Sequence, residues 1–318
     1  MAVVAVDIGG TKLLVSVVDS GGEIILKTLT NTPKTTDKLM DLIFDSVNDA
    51  VARSAEKITG IGLAVAGLVD YESGLVVSSP NLPLTGIDLC RGLKAKTDLP
   101  VFIDNDGNLA ALGESFRGTG RGLTDFVALT LGTGIGGGIF IGGELYRGHF
   151  GTAAEIGHMI IAVDGPKCNC GRRGCFEALA SGTAVARMAL ETAAKKPESD
   201  LAAEIAGRTN DLPAQIAEGL ANCGDIDSLD IFDRAGRALG IGLGNLINIF
   251  SPQGIIIGGG MANAADLFLP AARAAMIETA IDPRADQIKV EISTLGNDAG
   301  LYGAAALAGL RIYKDVNG

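Results

Sequence analysis

Residues 2–18 read Ala2-Val3-Val4-Ala5-Val6-Asp7-Ile8-Gly9-Gly10-Thr11-Lys12-Leu13-Leu14-Val15-Ser16-Val17-Val18. Stretches 2–7 and 13–18 are nearly continuous apolar, and Gly9-Gly10 between them marks a tight turn, so the pattern predicts a buried β-hairpin. Glycines there let backbone N–H groups approach the oxygens of a phosphate closely. Thr11 adds a hydroxyl and Lys12 a positive charge. Asp7, at the strand end, offers a carboxylate to Mg²⁺, directly or through water, since hard cations prefer oxygen and retain waters. A plain glycine hairpin with a capping aspartate explains the same residues, and short glycine motifs recur by chance.

The theme returns at Leu131-Gly132-Thr133-Gly134-Ile135-Gly136-Gly137-Gly138, a Gly-rich turn between the apolar runs 126–131 and 139–141. Two related hairpins point to a duplicated fold that grips one ligand with Gly132, Thr133 and Gly134 on the second side. Neither turn is followed by the Gly-Lys-Ser/Thr and helix of a P-loop, and neither opens a strand-to-helix dinucleotide fingerprint, which disfavours NAD.

Outward from the turns, strands and helices alternate. Leu39, Ile43, Val47 and Ala50 keep helical spacing over 36–53, and 58–65 returns to a short apolar run. Val101-Phe102-Ile103 reads as a strand, followed by Asp104-Asn105-Asp106 and a helical stretch from Asn108 to Phe116. Function in α/β sheets sits at such strand ends. A long helix is predicted from Ser228 to Phe250, with Phe232, Leu239, Leu243, Leu246 and Phe250 in one stripe. Gly236, Gly240, Gly242 and Gly244 lower its propensity, so close packing must compensate. Ile255 to Ile257 lead into Gly258-Gly259-Gly260, and a last helical pattern from Leu301 to Tyr313 is expected against the first lobe. At 318 residues the chain exceeds the size of a single ordinary core. We expect a smaller lobe of 1–117 plus 300–318, a larger lobe of 118–299, and a cleft between them.

Apolar residues make up 47% and charged residues 20% of the sequence, and the formal net charge is −11. That composition suits a compact core and disfavours a nucleic-acid or anionic-membrane surface, which needs clustered Lys and Arg. The start carries no basic leader or signal core, and no apolar run reaches membrane length, so a cytoplasmic protein is expected. Of five cysteines, Cys168, Cys170 and Cys175 cluster while Cys90 and Cys223 stand alone, unlike a secreted disulfide framework. With His158 they make a complete Cys₃His set for structural Zn²⁺, closed to water. A Cys170–Cys175 disulfide and free buried thiols are the alternatives. His149, the other histidine, reads as a loop residue.

Asp106 follows a buried strand and starts a helix. It is either a plain N-cap or a general base, the acceptor that transfer of a phosphoryl group to an alcohol requires. Its place between the two glycine turns in sequence favours the base.

Five motifs together resemble the ROK family of sugar kinases and repressors, and especially its bacterial-type glucokinases, over almost the whole chain. They are Asp7 to Lys12, Ile103-Asp104-Asn105-Asp106-Gly107-Asn108 with Ala110-Ala111-Leu112-Gly113-Glu114, Leu131 to Gly134, Glu155-Ile156-Gly157-His158, and Cys168-Asn169-Cys170-Gly171 through Glu177. The resemblance implies an α/β, actin-like (ribonuclease-H-like) two-domain fold with ATP and a hexose meeting in the cleft. It also implies Asp106 as base in forming glucose 6-phosphate, and a homodimer or higher homo-oligomer. Asn105, Glu155, His158 and Glu177 are implied as partners of the sugar hydroxyls, which carboxylates and amides can fix in direction. By the same resemblance Gly67 and Asn81 line the sugar side and Gly258, Gly259, Gly260 and the stretch from Gly300 to Ala304 flank the adenosine. Turn formation and tight packing are the alternatives there.

Three departures from the family pattern stand out. Gly107 takes the place of an alanine and Ala154 that of a glycine, both small changes from which modest effects are expected. After Asn81-Leu82-Pro83 the usual Gly-Trp pair is absent, and the chain has no tryptophan, which weakens glucose as the specific sugar. A broad hexokinase, a fructokinase and an N-acetylhexosamine kinase are the rival kinases. A sugar-responsive repressor needs an added DNA-binding module, for which Asp7 in the first strand leaves no room, and a non-catalytic actin-like ATPase would not need the Asn-Asp pair or the zinc cluster.

Overall fold

The computed structural model describes residues 2–208 and 212–317, with side chains through 312. In chain order its elements begin β1 (Ala2–Ile8), β2 (Lys12–Val18), β3 (Ile24–Asn31), α1 (Thr36–Arg53), β4 (Ile58–Val65), β5 (Leu68–Asp70), β6 (Leu75–Ser78) and β7 (Ile87–Asp88). There follow α2 (Leu89–Thr97), β8 (Val101–Asn105), α3 (Asp106–Arg117), β9 (Phe126–Leu131), β10 (Ile135–Ile141) and β11 (Glu144–Leu145). The rest is mostly helical: α4 (Phe176–Ala180), α5 (Gly182–Lys195), α6 (Asp200–Gly207), α7 (Pro213–Asn222) and α8 (Ile226–Phe250). Last come β12 (Gly254–Gly258), α9 (Ala265–Thr279), β13 (Lys289–Ile292) and α10 (Ala299–Asn317). Among the described residues no helix is long and apolar enough to cross a membrane.

One five-stranded sheet has the order β3-β2-β1-β4-β8, and a second has the order β11-β10-β9-β12-β13. In the first, β1 pairs antiparallel with β2, from Val3 opposite Val18 to Ile8 opposite Leu13, and parallel with β4. The expected hairpin is therefore present at the expected residues. The central strand β1 reads as a near-continuous apolar run because both its faces are covered, whereas the edge strand β3 alternates residue by residue. Leu39, Ile43, Phe44, Val47 and Ala50 of α1 bury their stripe in a core with Val4, Val6, Leu13, Val15 and Leu63. Side chains of that size contribute about 1.5–3 kcal/mol each when fully buried.

The chain divides into two compact units: Met1–Thr124 with Gly137–Ala154 and Ser293–Gly318, and Asp125–Gly136 with Glu155–Ile292. The expected boundaries at 117/118 and 299/300 differ from this in three places: 118–124 and 293–299 also belong to the first unit, and Gly137–Ala154 returns to it. The reason is local packing. A Cβ on Gly107 of α3 would lie 2.6 Å from the Gly137 carbonyl oxygen, and one on Gly138 would lie 2.6 Å from the Ala111 Cβ. Gly136, Gly137 and Gly138 therefore belong to β10 itself, and the second turn is shorter than its glycine run suggests.

In the second unit the long helix α8 begins two residues before the expected Ser228, with Asp225 as its cap, accepting from the Ser228 N–H at 2.8 Å. Gly236, Gly240 and Gly244 are explained by close packing on α9, where a Cβ on Gly236 or Gly240 would lie within 2.4 Å of the carbonyl of Phe268 or Ala272, and Gly242 lies against the Phe176 ring of α4. The final helix α10 belongs to the first unit and packs on α3, β4 and β1, as expected.

Candidate active site

The functional side chains fall into two groups, one in each unit. In the first unit the tip between β1 and β2 closes with the Gly9 N–H donating to the Lys12 carbonyl at 3.0 Å. Thr32 Oγ1 donates to the Gly9 carbonyl and Lys34 Nζ to the Gly10 carbonyl, both at 2.7 Å. Thr11 and Lys12 stay exposed beside them, as does Asn81. Gly10 approaches Asn81 so closely that an added Cβ would stand 3.2 Å from the Asn81 Cβ. The carboxyl of Asp7 faces Gly300 at the start of α10. Desolvation, followed by the charges of Asp106 and Asp298, pushes it up to about 7.

Asn105 and Asp106 occupy the junction of β8 and α3. The N-cap is Asn105: its Oδ1 accepts from the N–H groups of Gly107 at 2.8 Å and Asn108 at 3.1 Å. Its Nδ2 donates to the Gly67 carbonyl at 2.9 Å. Asp106 is the first helical residue, and its Oδ1 also accepts from the Gly107 N–H at 3.0 Å. The choice between cap and base for Asp106 is thereby resolved on one side, since a neighbour performs the capping. Asn105 and Gly67 are brought together by their own bond.

In the second unit, Gly132, Thr133 and Gly134 form the turn between β9 and β10, with the Gly132 N–H donating to the Gly134 carbonyl at 2.9 Å. The start of α5 holds this turn from outside. The Gly182 N–H donates to the Gly132 carbonyl at 2.9 Å, and Thr183 Oγ1 donates to the Thr133 carbonyl at 2.6 Å. Gly258 ends β12, and Gly259, at φ +87, brings its Cα against the Leu131 carbonyl. Gly260 is exposed with open space around it.

Glu177 of α4 joins this turn to the cysteine cluster. Its Oε2 accepts from the Ile135 N–H at 3.0 Å, and its Oε1 accepts from Cys168 Sγ at 3.6 Å. The ligand atoms of His158, Cys168, Cys170 and Cys175 all lie within 4.8 Å of one another. The Cys170 and Cys175 sulfurs are 3.6 Å apart, and Cys168 Sγ is 3.9 Å from His158 Nδ1. All five cysteines are free thiols, so the disulfide alternative does not hold. Tetrahedral zinc with bonds of about 2.3 Å separates its sulfurs by roughly 3.8 Å, so the residues fit the ion. Glu155 lies next to this cluster: desolvation raises its carboxyl, His158 lowers it, and Glu177 raises it.

The two small departures behave differently. Gly107 is required by the approach of Gly137, where even an alanine would collide with backbone. Ala154 sits at φ +68, a left-handed conformation that costs a non-glycine residue roughly 1–2 kcal/mol. His149 lies in a turn, edge-on to Phe150. Sequence reasoning did not single out Thr32, Lys34, Gly182 or Thr183. Only the Ser181-Gly182-Thr183 start of a helix after Glu177 signalled any of them.

The ROK family model matches residues 3–310. A glucokinase from Streptomyces coelicolor is 38% identical over 314 residues, covering 96% of each chain. A solved ROK glucokinase from Streptomyces griseus, in complex with glucose and AMPPNP, superposes with a TM-score of 0.85 at 36% identity, covering 98% of this chain and all of that one. The xylose repressor of Bacillus subtilis is 32% identical over 309 residues, which span 96% of this chain and 76% of the repressor. The fold is that of the actin-like ATPases. From the glycine turns through the Asn105-capped helix to the His-Cys cluster, the matched span contains every motif described above, and the chain belongs to the ROK family.

Proposed function

We propose that this chain is an ATP-dependent hexose kinase whose first substrate is glucose, phosphorylated at its 6-hydroxyl. The observation that carries the reading is the β8–α3 junction, where Asn105 supplies the helix cap and Asp106 stands beside it as first helical residue. The hydroxyl oxygen forms a bond to the γ-phosphorus as the bond to the β,γ-bridging oxygen breaks. The hydroxyl proton passes to the Asp106 carboxylate and ADP leaves. Gly9, Gly10, Thr11 and Lys12, with Gly132, Thr133 and Gly134, serve the phosphates. Asp7 would hold Mg²⁺, which would screen the phosphate charge and favour the ionised form of the Asp7 carboxyl that burial raises. Gly258, Gly259 and Gly260 serve the adenosine.

Gly67, Asn81, Asn105, Glu155, His158 and Glu177 serve the sugar. In this assignment Asn105 offers its second N–H, the first being taken by Gly67. His158 would hold Zn²⁺ through Nδ1, the nitrogen nearest Cys168, leaving Nε2 for a hydroxyl. Cys168, Cys170 and Cys175 would complete a structural site that braces the loop. The protein acts as a homo-oligomer in the cytoplasm.

The repressor match supports a second reading, a sugar-responsive regulator. ADP release with a panel of glucose, mannose, fructose and N-acetylated hexoses separates the two. We expect glucose to give the highest kcat/KM, and Asp106→Asn to lower kcat by about 10²–10⁴ with sugar binding retained. A preference for fructose or an N-acetylated hexose would move the substrate within the family. Hexose binding without any ADP release would sink the kinase.

A further inference from the structure

Asp104 is 1% exposed, and three donors meet its carboxylate. The Asn105 N–H reaches Oδ1 at 2.8 Å and Asn108 Nδ2 reaches it at 2.9 Å. Arg147 Nε reaches Oδ2 at 2.7 Å. The first two donors come from the cap and first turn of the helix that carries Asp106. The third comes from the segment after β11, more than forty residues along the chain. The Arg147 guanidinium also lies over the Tyr71 ring, 4.8 Å from its centroid, which fixes its plane. It borders a cavity of about 420 Å³ shared with Tyr71, Tyr146 and His149.

We propose that Arg147 is a positioning residue for the base: it holds the Asp104 carboxylate correctly turned, and Asp104 in turn fixes Asn105 and Asn108 and so the bearing of Asp106. The proposal rests on the reading of Asp106 given above. A buried carboxylate that loses the cationic partner it is paired with is left without a bond at Oδ2 and must turn or draw in water to regain one. That change weakens both bonds at Oδ1, and the first turn of α3 shifts with them. Displacement by about 1 Å is enough to cost on the order of a hundredfold in rate. A lysine keeps the charge but has neither the fixed Nε geometry nor the flat face that lies on Tyr71.

The test combines kinetics with amide exchange on the full chain. Arg147→Met is expected to lower kcat per folded molecule by about a hundredfold, with the KM for ATP changed by less than about threefold. Arg147→Lys should recover to within about tenfold of wild type. In Arg147→Ala, millimolar guanidinium entering through the cavity should restore part of kcat. Exchange at the Asn105, Gly107 and Asn108 amides should quicken in Arg147→Met while β1 and β4 keep their protection. Wild-type kcat in Arg147→Met, or a lost kcat with unaltered exchange at those amides, overturns the proposal. Should Arg147→Met fail to fold, Arg147→Gln takes its place, and wild-type kcat or unaltered exchange at those amides in that variant overturns the proposal. If wild type shows no hexose-dependent ADP release, the kinase reading fails by itself, and unaltered exchange would still reject the role of Arg147.

Discussion

The two glycine turns share a sequence theme and differ in how they are held. The Gly9–Lys12 turn is steadied from its own sheet: Thr32 and Lys34, just beyond β3, bond its carbonyls, and its carboxylate, Asp7, comes from the strand that leads into it. The Gly132–Gly134 turn is steadied from helices. Gly182 and Thr183 bond its carbonyls, and the carboxylate beside it, Glu177, is borrowed from α4 and also touches Cys168. The same motif is thus self-supporting in one unit and dependent in the other on the His-Cys cluster. Damage to that cluster should travel to the second turn and leave the first alone.

The strongest way to break the comparison is to remove a ligand. We expect about one zinc per chain in wild type, from the single ligand set, and none in Cys175→Ser. Loss of a structural ion that contributes several kcal/mol should lower Tm by roughly 10 °C for a domain of this size. Exchange should quicken at Ile135 and the following amides of the second turn, not at Gly9. Metal analysis, calorimetry and amide exchange check this; equal exchange at both turns would remove the asymmetry.

A gentler contrast adds one methyl group to each turn. At Gly134 the new Cβ would stand 2.2 Å from Glu177 Oε2, so the carboxylate must move and release the Ile135 N–H. Such overpacking costs about 1–3 kcal/mol, and Gly134→Ala should raise the KM for ATP or lower kcat by roughly 5–150-fold. At Gly10 the neighbour is an exposed asparagine whose Cβ would be 3.2 Å away and can yield by a few tenths of an ångström. Gly10→Ala should stay within about threefold of wild type, below 1 kcal/mol. Steady-state kinetics with ATP varied at saturating hexose measures both.

These turns also show what the sequence can carry. The bounds of α1 and β4 were legible to the residue and those of the hairpin to within one, since apolar runs and a 3.6-residue stripe admit few other foldings. The four side chains of the His-Cys cluster were legible as a set, because thiols and imidazole at short spacing have few other uses. The extent of the second turn was not. Glycine signals a turn and a close approach equally, and Gly137 is there for α3. The cap could not be placed, since capping stood only as an alternative for Asp106: Asp and Asn both cap well, and only geometry says that Asn105 has the role. Arg147 could not be seen, because its partner Asp104 is distant in sequence and no local pattern links them.

The smallest effect tests the carboxylate that belongs to the first turn. Burial, with the charges of Asp106 and Asp298, pushes the Asp7 carboxyl up to about 7, against 3.8 for an ordinary aspartate, so the folded state binds a proton more tightly than the unfolded chain. Between those values folding takes up a proton. The stabilising contribution of protonated Asp7 is complete below about 3.8 and is lost as pH rises through about 7. Asp7→Asn removes the titration and keeps a neutral group of similar size. The metal-free variant should therefore gain on wild type in Tm at pH 8 and gain less at pH 5, where wild-type Asp7 is itself mostly protonated. Added Mg²⁺ and ADP should raise Tm in wild type far more than in the variant, because the ion needs the ionised carboxylate. A Tm difference that does not change with pH would show that Asp7 is already ionised in the folded protein, and the first turn would then hold a charged carboxylate before any cation arrives.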